Sequence, residues 1–102
     1  MNMKSQHKYY IYILSTRNYK LFYVGVTNDL KRRVNEHNLG KRYGYTKRYQ
    51  VHYLLYFEQF DYIDKAIKRE KELKGWGRKK KLALIKSTNP QLKFLNDYIL
   101  GK

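Results

Sequence analysis

Two runs of aromatic and β-branched residues, 9–14 (YYIYIL) and 21–26 (LFYVGV), lie close together near the start of the chain. Such side chains fit the pleated, half-buried surface of a sheet, so each run reads as a β-strand. Between them lies Ser15-Thr16-Arg17-Asn18-Tyr19-Lys20, which is polar, turn-prone at Asn18 and without helical periodicity. Two strands with so short a link form an antiparallel hairpin. A turn centred on Arg17-Asn18 sets Tyr12 opposite Tyr23. Opposed residues of an antiparallel pair point to the same face, so two phenol hydroxyls meet there. A slip of one residue would separate them.

The rest of the chain supplies what must cover that hairpin. Asn28 offers an N-cap, and Asp29 favours the dipole of a first helix running to about Leu39, with Gly40 as its stop. Residues 41–50 (KRYGYTKRYQ) have no steady period and read as an ordered basic loop. Residues 51–60 are too aromatic and β-branched for a helix and read as a third strand. Asp61 is the expected cap of a second helix over about 62–74, and Gly75-Trp76-Gly77 breaks it. A third helix, 78–86, opens with four consecutive cations. Asn89-Pro90 turns the chain, because a residue before proline is biased out of the helical region, and residues 91–98 read as a last short helix. The order ββαβααα predicts an α/β domain of the α+β type, a small three-stranded antiparallel sheet flanked by helices. Residues 1–8 read as a flexible tail and 9–98 as a single domain, the size that 102 residues allow.

Charge narrows what such a domain meets. Lys and Arg number 23 against 8 acidic residues, a net charge of +15. An excess of this size repels itself, so it serves an anionic partner. A membrane-surface protein needs a helix with a broad apolar face to give to lipid, and none is spare. The longest apolar run, about six residues, is far short of a membrane span. Nucleic acid fits better, since twelve Tyr suit contact with bases and sugars. The absence of Cys excludes disulfides and cysteine-based zinc sites. Residues 1–8 lack the apolar core of a signal peptide, so the expected location is cytoplasmic.

Two predicted helices carry polar residues where apolar ones belong. Leu30, Arg33, Val34 and His37 follow the spacing of a buried face, yet two of the four are polar. Arg33 and His37 lie one turn apart on it. Either Arg33 snorkels from a buried stem beside a satisfied core histidine, or both face a site. In the second helix Ile63, Ala66, Ile67, Glu70, Leu73 and Lys74 form the stripe, with Glu70 in its middle. A carboxylate so placed should be paired, protonated or metal-bound. A structural ion pair with Arg33 would satisfy it. So would a hard divalent cation, since Mg²⁺ often takes one protein carboxylate, waters and a substrate phosphate. His7 and His52 form no metal-ligand spacing with His37. No Ser-His-Asp order, P-loop or dinucleotide fingerprint occurs. Trp76, between two glycines, either stacks on a base or plugs the helix end. Asn89 is, on its own, a turn residue.

The triplets Tyr10-Ile11-Tyr12 and Tyr23-Val24-Gly25, in this order and spacing, together with Arg33, His37, Glu70 and Asn89, resemble the GIY-YIG nuclease family. The likeness runs from about residue 9 to 89. Tyr10 stands in place of Gly and Val24 in place of Ile, while Tyr12 and Tyr23 are retained. The resemblance implies a small stand-alone endonuclease that hydrolyses DNA phosphodiesters with one Mg²⁺ or Mn²⁺. It places the metal ligand at Glu70, the base at Tyr12 or His37, an orienting phenol at Tyr23, charge stabilisation at Arg33 and a supporting role at Asn89. A phenol with its ordinary pKa of about 10 is a poor base at neutral pH, and a nearby Arg33 and metal ion would favour phenolate. Lys41, Arg42, Lys47, Arg48, Trp76, Arg78, Lys79, Lys80 and Lys81 are the expected grip on the nucleic-acid backbone. The expected partner is DNA, in repair or processing of structured DNA, with RNA left open and the chain a monomer without a small-molecule cofactor. The rival expectation is a non-catalytic basic nucleic-acid-binding module, which accounts for the charge but not for the joint presence of the site residues. A basic ribosome-associated protein accounts for the charge alone.

Overall fold

The strand β1 (Tyr9–Ser15) is buried from Ile11 onward, on both faces. A strand of this kind must be central, with neighbours on each edge and cover above and below. A computed structural model describes residues 8–38 and 48–102, with the backbone alone at His37 and Asn38. In it β1 lies between β2 (Phe22–Thr27) and β3 (Tyr53–Phe60), both antiparallel to it. Among the described residues the helices include α1 (Leu30–Asn38), α2 (Ile63–Lys74), α3 (Arg78–Thr88) and α4 (Asn96–Leu100). The three-stranded antiparallel sheet with helices is the one expected, and the α+β class holds.

Side chains alternate across a strand, so β1 serves two cores. Ile11 and Ile13 pack with Val24 and Leu55 against Ala66 and Leu73 of α2 and Ile85 of α3. Tyr12 and Leu14 pack on the opposite face with Leu54 against Leu30 and Val34 of α1, joined by Ile99 and Leu100 of α4. The sheet is thus the middle of three layers. A bulge adjusts the fit: Ile13 pairs with Tyr56 but Leu14 with Leu54, which leaves Leu55 as the extra residue of β3.

The hairpin register differs from the one expected. Tyr12 pairs with Gly25, and Tyr23 with Leu14. The turn is longer than one centred on Arg17-Asn18. The Tyr19 amide donates to the Thr16 carbonyl at 3.0 Å, Tyr19 is left-handed at φ 63°, and the Thr16 amide closes on the Leu21 carbonyl at 3.2 Å. The Thr16 hydroxyl accepts from the Lys20 amide at 3.0 Å and fixes the loop. The displacement is two residues, an even number, so both tyrosines still share a face.

Helix ends also differ in detail. The Arg32 amide donates to Asp29 Oδ1 at 3.1 Å, so Asp29 rather than Asn28 caps α1. Tyr62 is the N-cap of α2 and makes no side-chain cap bond, while Asp61 meets Lys8 Nζ at 2.6 Å. The predicted helix over 91–98 is mostly absent. Leu92 is left-handed at φ 54°, and only Asn96–Leu100 is helical. The segment instead lines β3. The Leu95 amide donates to the Leu54 carbonyl at 2.8 Å. Asn96 Oδ1 accepts from the Leu54 amide at 2.8 Å, and its Nδ2 donates to the His52 carbonyl at 2.9 Å. The edge that β3 would otherwise present is covered there.

Candidate active site

The site starts from Tyr12, which grows from the central strand and is 1% exposed. Its ring runs across β2 over Gly25. A Cβ on Gly25 would stand 2.5 Å from both Cζ and the hydroxyl oxygen of Tyr12. No real side chain tolerates that approach, so the glycine is what lets the phenol lie there. Because β2 is an outer strand, the hydroxyl is carried from the middle of the sheet toward its edge. Tyr23, half-buried on β2, comes in diagonally, its ring centroid 6.4 Å from that of Tyr12 and tilted by 44°.

From the other layer α2 reaches the same edge. Glu70 is the inward carboxylate expected there, its side chain 13% exposed, and Lys74 Nζ meets its Oε2 at 2.6 Å one turn further on. The Lys74 ammonium is held above its usual pKa, chiefly by the hydrogen bond to Glu70, against a desolvation that lowers it. The Tyr23 phenol adds a smaller electrostatic contribution in the same direction, which ties the α2 pair to the tyrosine pair. The ion pair weighed between Glu70 and Arg33 does not form. Arg33, on α1, directs its Nε to Glu36 Oε1 at 3.4 Å and is 20% exposed in its side chain. Local spacing decides both pairings, since residues three and four apart meet on a helix.

Asn89, the residue expected in a supporting role, is held by a hydrogen-bond set of its own. It ends α3, its amide donating to the Ile85 carbonyl at 2.9 Å. Its Nδ2 donates to the carbonyls of Leu55 at 3.0 Å and Lys93 at 2.8 Å, and its Oδ1 accepts from the Lys93 amide at 3.0 Å. The side chain is buried in a structural clip on β3, across the sheet from Tyr23. His37 lies on α1, and its side chain is outside the described residues, as are Lys41, Arg42, Lys47 and the expected stop at Gly40.

The expected grip divides into engaged and open cations. Arg78 Nη1 donates to the Lys20 carbonyl at 3.1 Å and Nη2 to the Tyr19 carbonyl, with its guanidinium 4.6 Å from the Phe22 ring centroid. It therefore binds α3 to the hairpin tip. Trp76 packs on the core at the end of α2, with Arg69 Cζ at 5.3 Å and Lys80 Nζ at 4.3 Å from its ring. Lys79 and Lys80 are exposed and Lys81 is partly so. Arg48 is exposed beside Tyr49. Among the described residues no three His, Cys, Asp or Glu side chains gather as a metal cage. None of the described helices is long and apolar enough to cross a membrane.

Two further residues stand beside these side chains, Gly25 under the Tyr12 ring and Lys74 on Glu70. Gly25 was visible in the second triplet, but the slipped register placed it away from Tyr12. Lys74 stands four residues after Glu70, a spacing that signals a helical ion pair.

Residues 8–83 match the family model of the GIY-YIG catalytic domain. A UPF0213 protein of Staphylococcus saprophyticus is 42% identical over 78 residues, 76% of this chain and 94% of the relative. A UPF0213 protein of Haloquadratum walsbyi is 41% identical over 76 residues, 74% of this chain and 84% of the relative. In three dimensions the chain is similar to a UPF0213 protein from Bacillus halodurans determined by NMR in solution. That likeness has a TM-score of 0.54 and 30% identity, over 82% of this chain and 88% of the other.

Proposed function

The chain belongs to the GIY-YIG catalytic-domain family, and from that premise we propose that it is a metal-dependent endonuclease that hydrolyses DNA phosphodiesters, acting as a monomer in repair or processing of structured DNA. The observation that carries the reading is the Tyr12 phenol laid over Gly25, with Tyr23 beside it and the Glu70–Lys74 pair at the same sheet edge. Glu70 would hold one Mg²⁺ or Mn²⁺, and a lone inward carboxylate fits that hard, water-rich coordination. Such an ion, when bound, neutralises charge on the scissile phosphate and stabilises the leaving oxygen.

The chain's own groups do the rest. Tyr12 takes the proton of the attacking water. Tyr23, on the more open side of the pair, orients that water. Arg33 stabilises charge developing on the phosphate oxygens. Lys79, Lys80, Lys81 and Arg48 hold the backbone on either side.

Glu70→Gln tests the assignment. Metal-dependent nicking should fall roughly a thousandfold, the loss of about 4 kcal/mol of transition-state stabilisation. The melting temperature should hardly move, because the partner Lys74 is 53% exposed and such i,i+4 pairs contribute about 0.3–0.5 kcal/mol. DNA affinity in EDTA should stay level or rise, since a negative charge facing phosphate is gone. A variant that nicks at the native rate sinks the metal assignment. The rival, a basic binding module that never cuts, draws on one observation: Glu70 already has a cation in Lys74. Native protein that binds DNA but cuts none of a panel of single-stranded, duplex, flap and junction substrates in Mg²⁺ or Mn²⁺ would establish the rival.

A further inference from the structure

On the face that carries Tyr12, a cleft of about 510 Å³ opens between the sheet, the start of α1 and α4. Tyr10 lies in it, two residues before Tyr12 on the same strand and so on the same face, roughly 7 Å away along β1. Phe57 stands opposite Tyr12 and Gln59 opposite Tyr10 in the β1–β3 register, and both line the cleft. Its floor is aromatic and aliphatic: Tyr10, Phe57 and Ile99 all pack, partly buried, on the Tyr12 core. Tyr98 stands in its wall with 74% of its surface in water, which is unusual for so large a ring.

The polar groups of the cleft have a pattern of their own. Asn28 and Gln59 both line it and are exposed, and neither side-chain amide has a hydrogen bond to another described residue. An amide carries both donors and an acceptor, which is what the edge of a nucleobase asks for. Lys31 is exposed at the rim, and Lys8 makes an exposed pair with Asp61. The one carboxylate in the wall, Asp29, accepts from the Arg32 amide at 3.1 Å and has the Arg32 guanidinium at 3.7 Å. Rings to stack on, amides to read an edge and lysines for phosphate together describe a nucleotide.

We propose that this cleft seats an unstacked nucleobase, that of the nucleotide next to the cut, so that the preferred substrate has an unpaired nucleotide there. A base inside a continuous duplex cannot reach a sheet-face cleft without leaving its stack. Tyr10 makes the point specific to this chain, because a glycine at that position would leave the floor without its ring. The location beside the cut rests on the nuclease reading, while the base pocket does not.

The test is nucleotide binding in EDTA, followed by NMR on the side-chain amide signals of Asn28 and Gln59. The probes are the four deoxynucleoside 5′-monophosphates and 2-deoxyribose 5-phosphate. The nucleotides should move both signals and the sugar phosphate should move neither. Tyr98→Ala and Gln59→Ala change exposed side chains and should leave the melting temperature unchanged. Tyr98→Ala should weaken nucleotide binding roughly 5- to 100-fold. In cleavage, an abasic residue beside the cut should slow the native protein and make no difference to Tyr98→Ala. Equal shifts from sugar phosphate and nucleotides, or native nucleotide affinity in Tyr98→Ala, would overturn the base pocket. Protein that binds nucleotides as described yet cuts no DNA would overturn the nuclease reading and leave the pocket standing. Protein that cuts normally but is indifferent to a base beside the cut overturns that location and leaves the nuclease reading standing.

Discussion

At Gly25 a missing methyl group decides where the Tyr12 phenol lies. Alanine would put a Cβ 2.5 Å from Cζ and from the hydroxyl oxygen of Tyr12, so either the ring swings away or β2 shifts. Overpacking of this kind costs about 1–3 kcal/mol, and a reacting group misplaced by about 1 Å loses about a hundredfold in rate. Gly25→Ala should therefore remain folded, melt somewhat earlier and nick about a hundredfold more slowly. Nicking at the native rate would place the working hydroxyl elsewhere. The tyrosines themselves were legible in the sequence, as was their common face, because strand parity survives an even slip. Their real neighbours were not. A left-handed Tyr19 lengthens the turn, and no residue in 15–20 announces it, since a tyrosine rarely adopts that conformation. The Glu70–Lys74 pair was legible by spacing, yet Arg33 drew attention through its place on another helix's apolar face. Geometry favoured the partner one turn away.

Among the elements, those defined by local pattern were readable, namely the three strands, α1, α2 and α3. The C-terminal segment was not, because distant partners define it. Asn89 reaches Leu55 across 34 positions of sequence and Asn96 reaches Leu54 across 42, and nothing in the neighbourhood of either asparagine reveals this. For the same reason Asn89 reads locally as no more than a turn residue, and Asn96 carries no local signal at all. Arg78 was legible as a charge but not as the tie between α3 and the carbonyls of the hairpin tip. The clip at Asn89 predicts a clean separation of stability from chemistry. Asn89→Ala removes three hydrogen bonds and leaves two carbonyls and an amide without that partner. Buried groups left unsatisfied cost about 1–3 kcal/mol each, less where water enters, so the variant should lose several degrees in melting temperature. Nicking well below that melting point should stay near the native rate. A tenfold slower rate in protein shown to be folded would give Asn89 the supporting role in the site that the family resemblance implies.

For the whole molecule the charge of +15 is the governing quantity. At least six of the eight acidic side chains are already held by cations: Asp29, Glu36, Glu58, Asp61, Glu70 and Glu72. Little acid is left to screen the other lysines and arginines, so the molecule's field is positive at long range and should steer it to a polyanion. Phosphate contacts of this kind are tolerant of sequence and steep in salt, because each neutralised phosphate releases a counterion. With about five phosphates engaged on duplex DNA, log K should fall with log salt at a slope of about −4.5. Lys79, Lys80 and Lys81 stand in succession at the start of α3, where no acidic residue occupies the first turn. A run of cations opposes the helix dipole there, and phosphate would relieve it. Replacing all three by Ala should make the slope shallower by about 2 to 3, equally on unrelated sequences. The fold should tolerate the change, since Lys79 and Lys80 are exposed and the tie through Arg78 remains. Titrations of duplex DNA across a range of salt, in EDTA, measure both slopes. If the triple variant keeps the native slope, the phosphates are held elsewhere, and Arg48 with residues 41–47 becomes the next region to substitute.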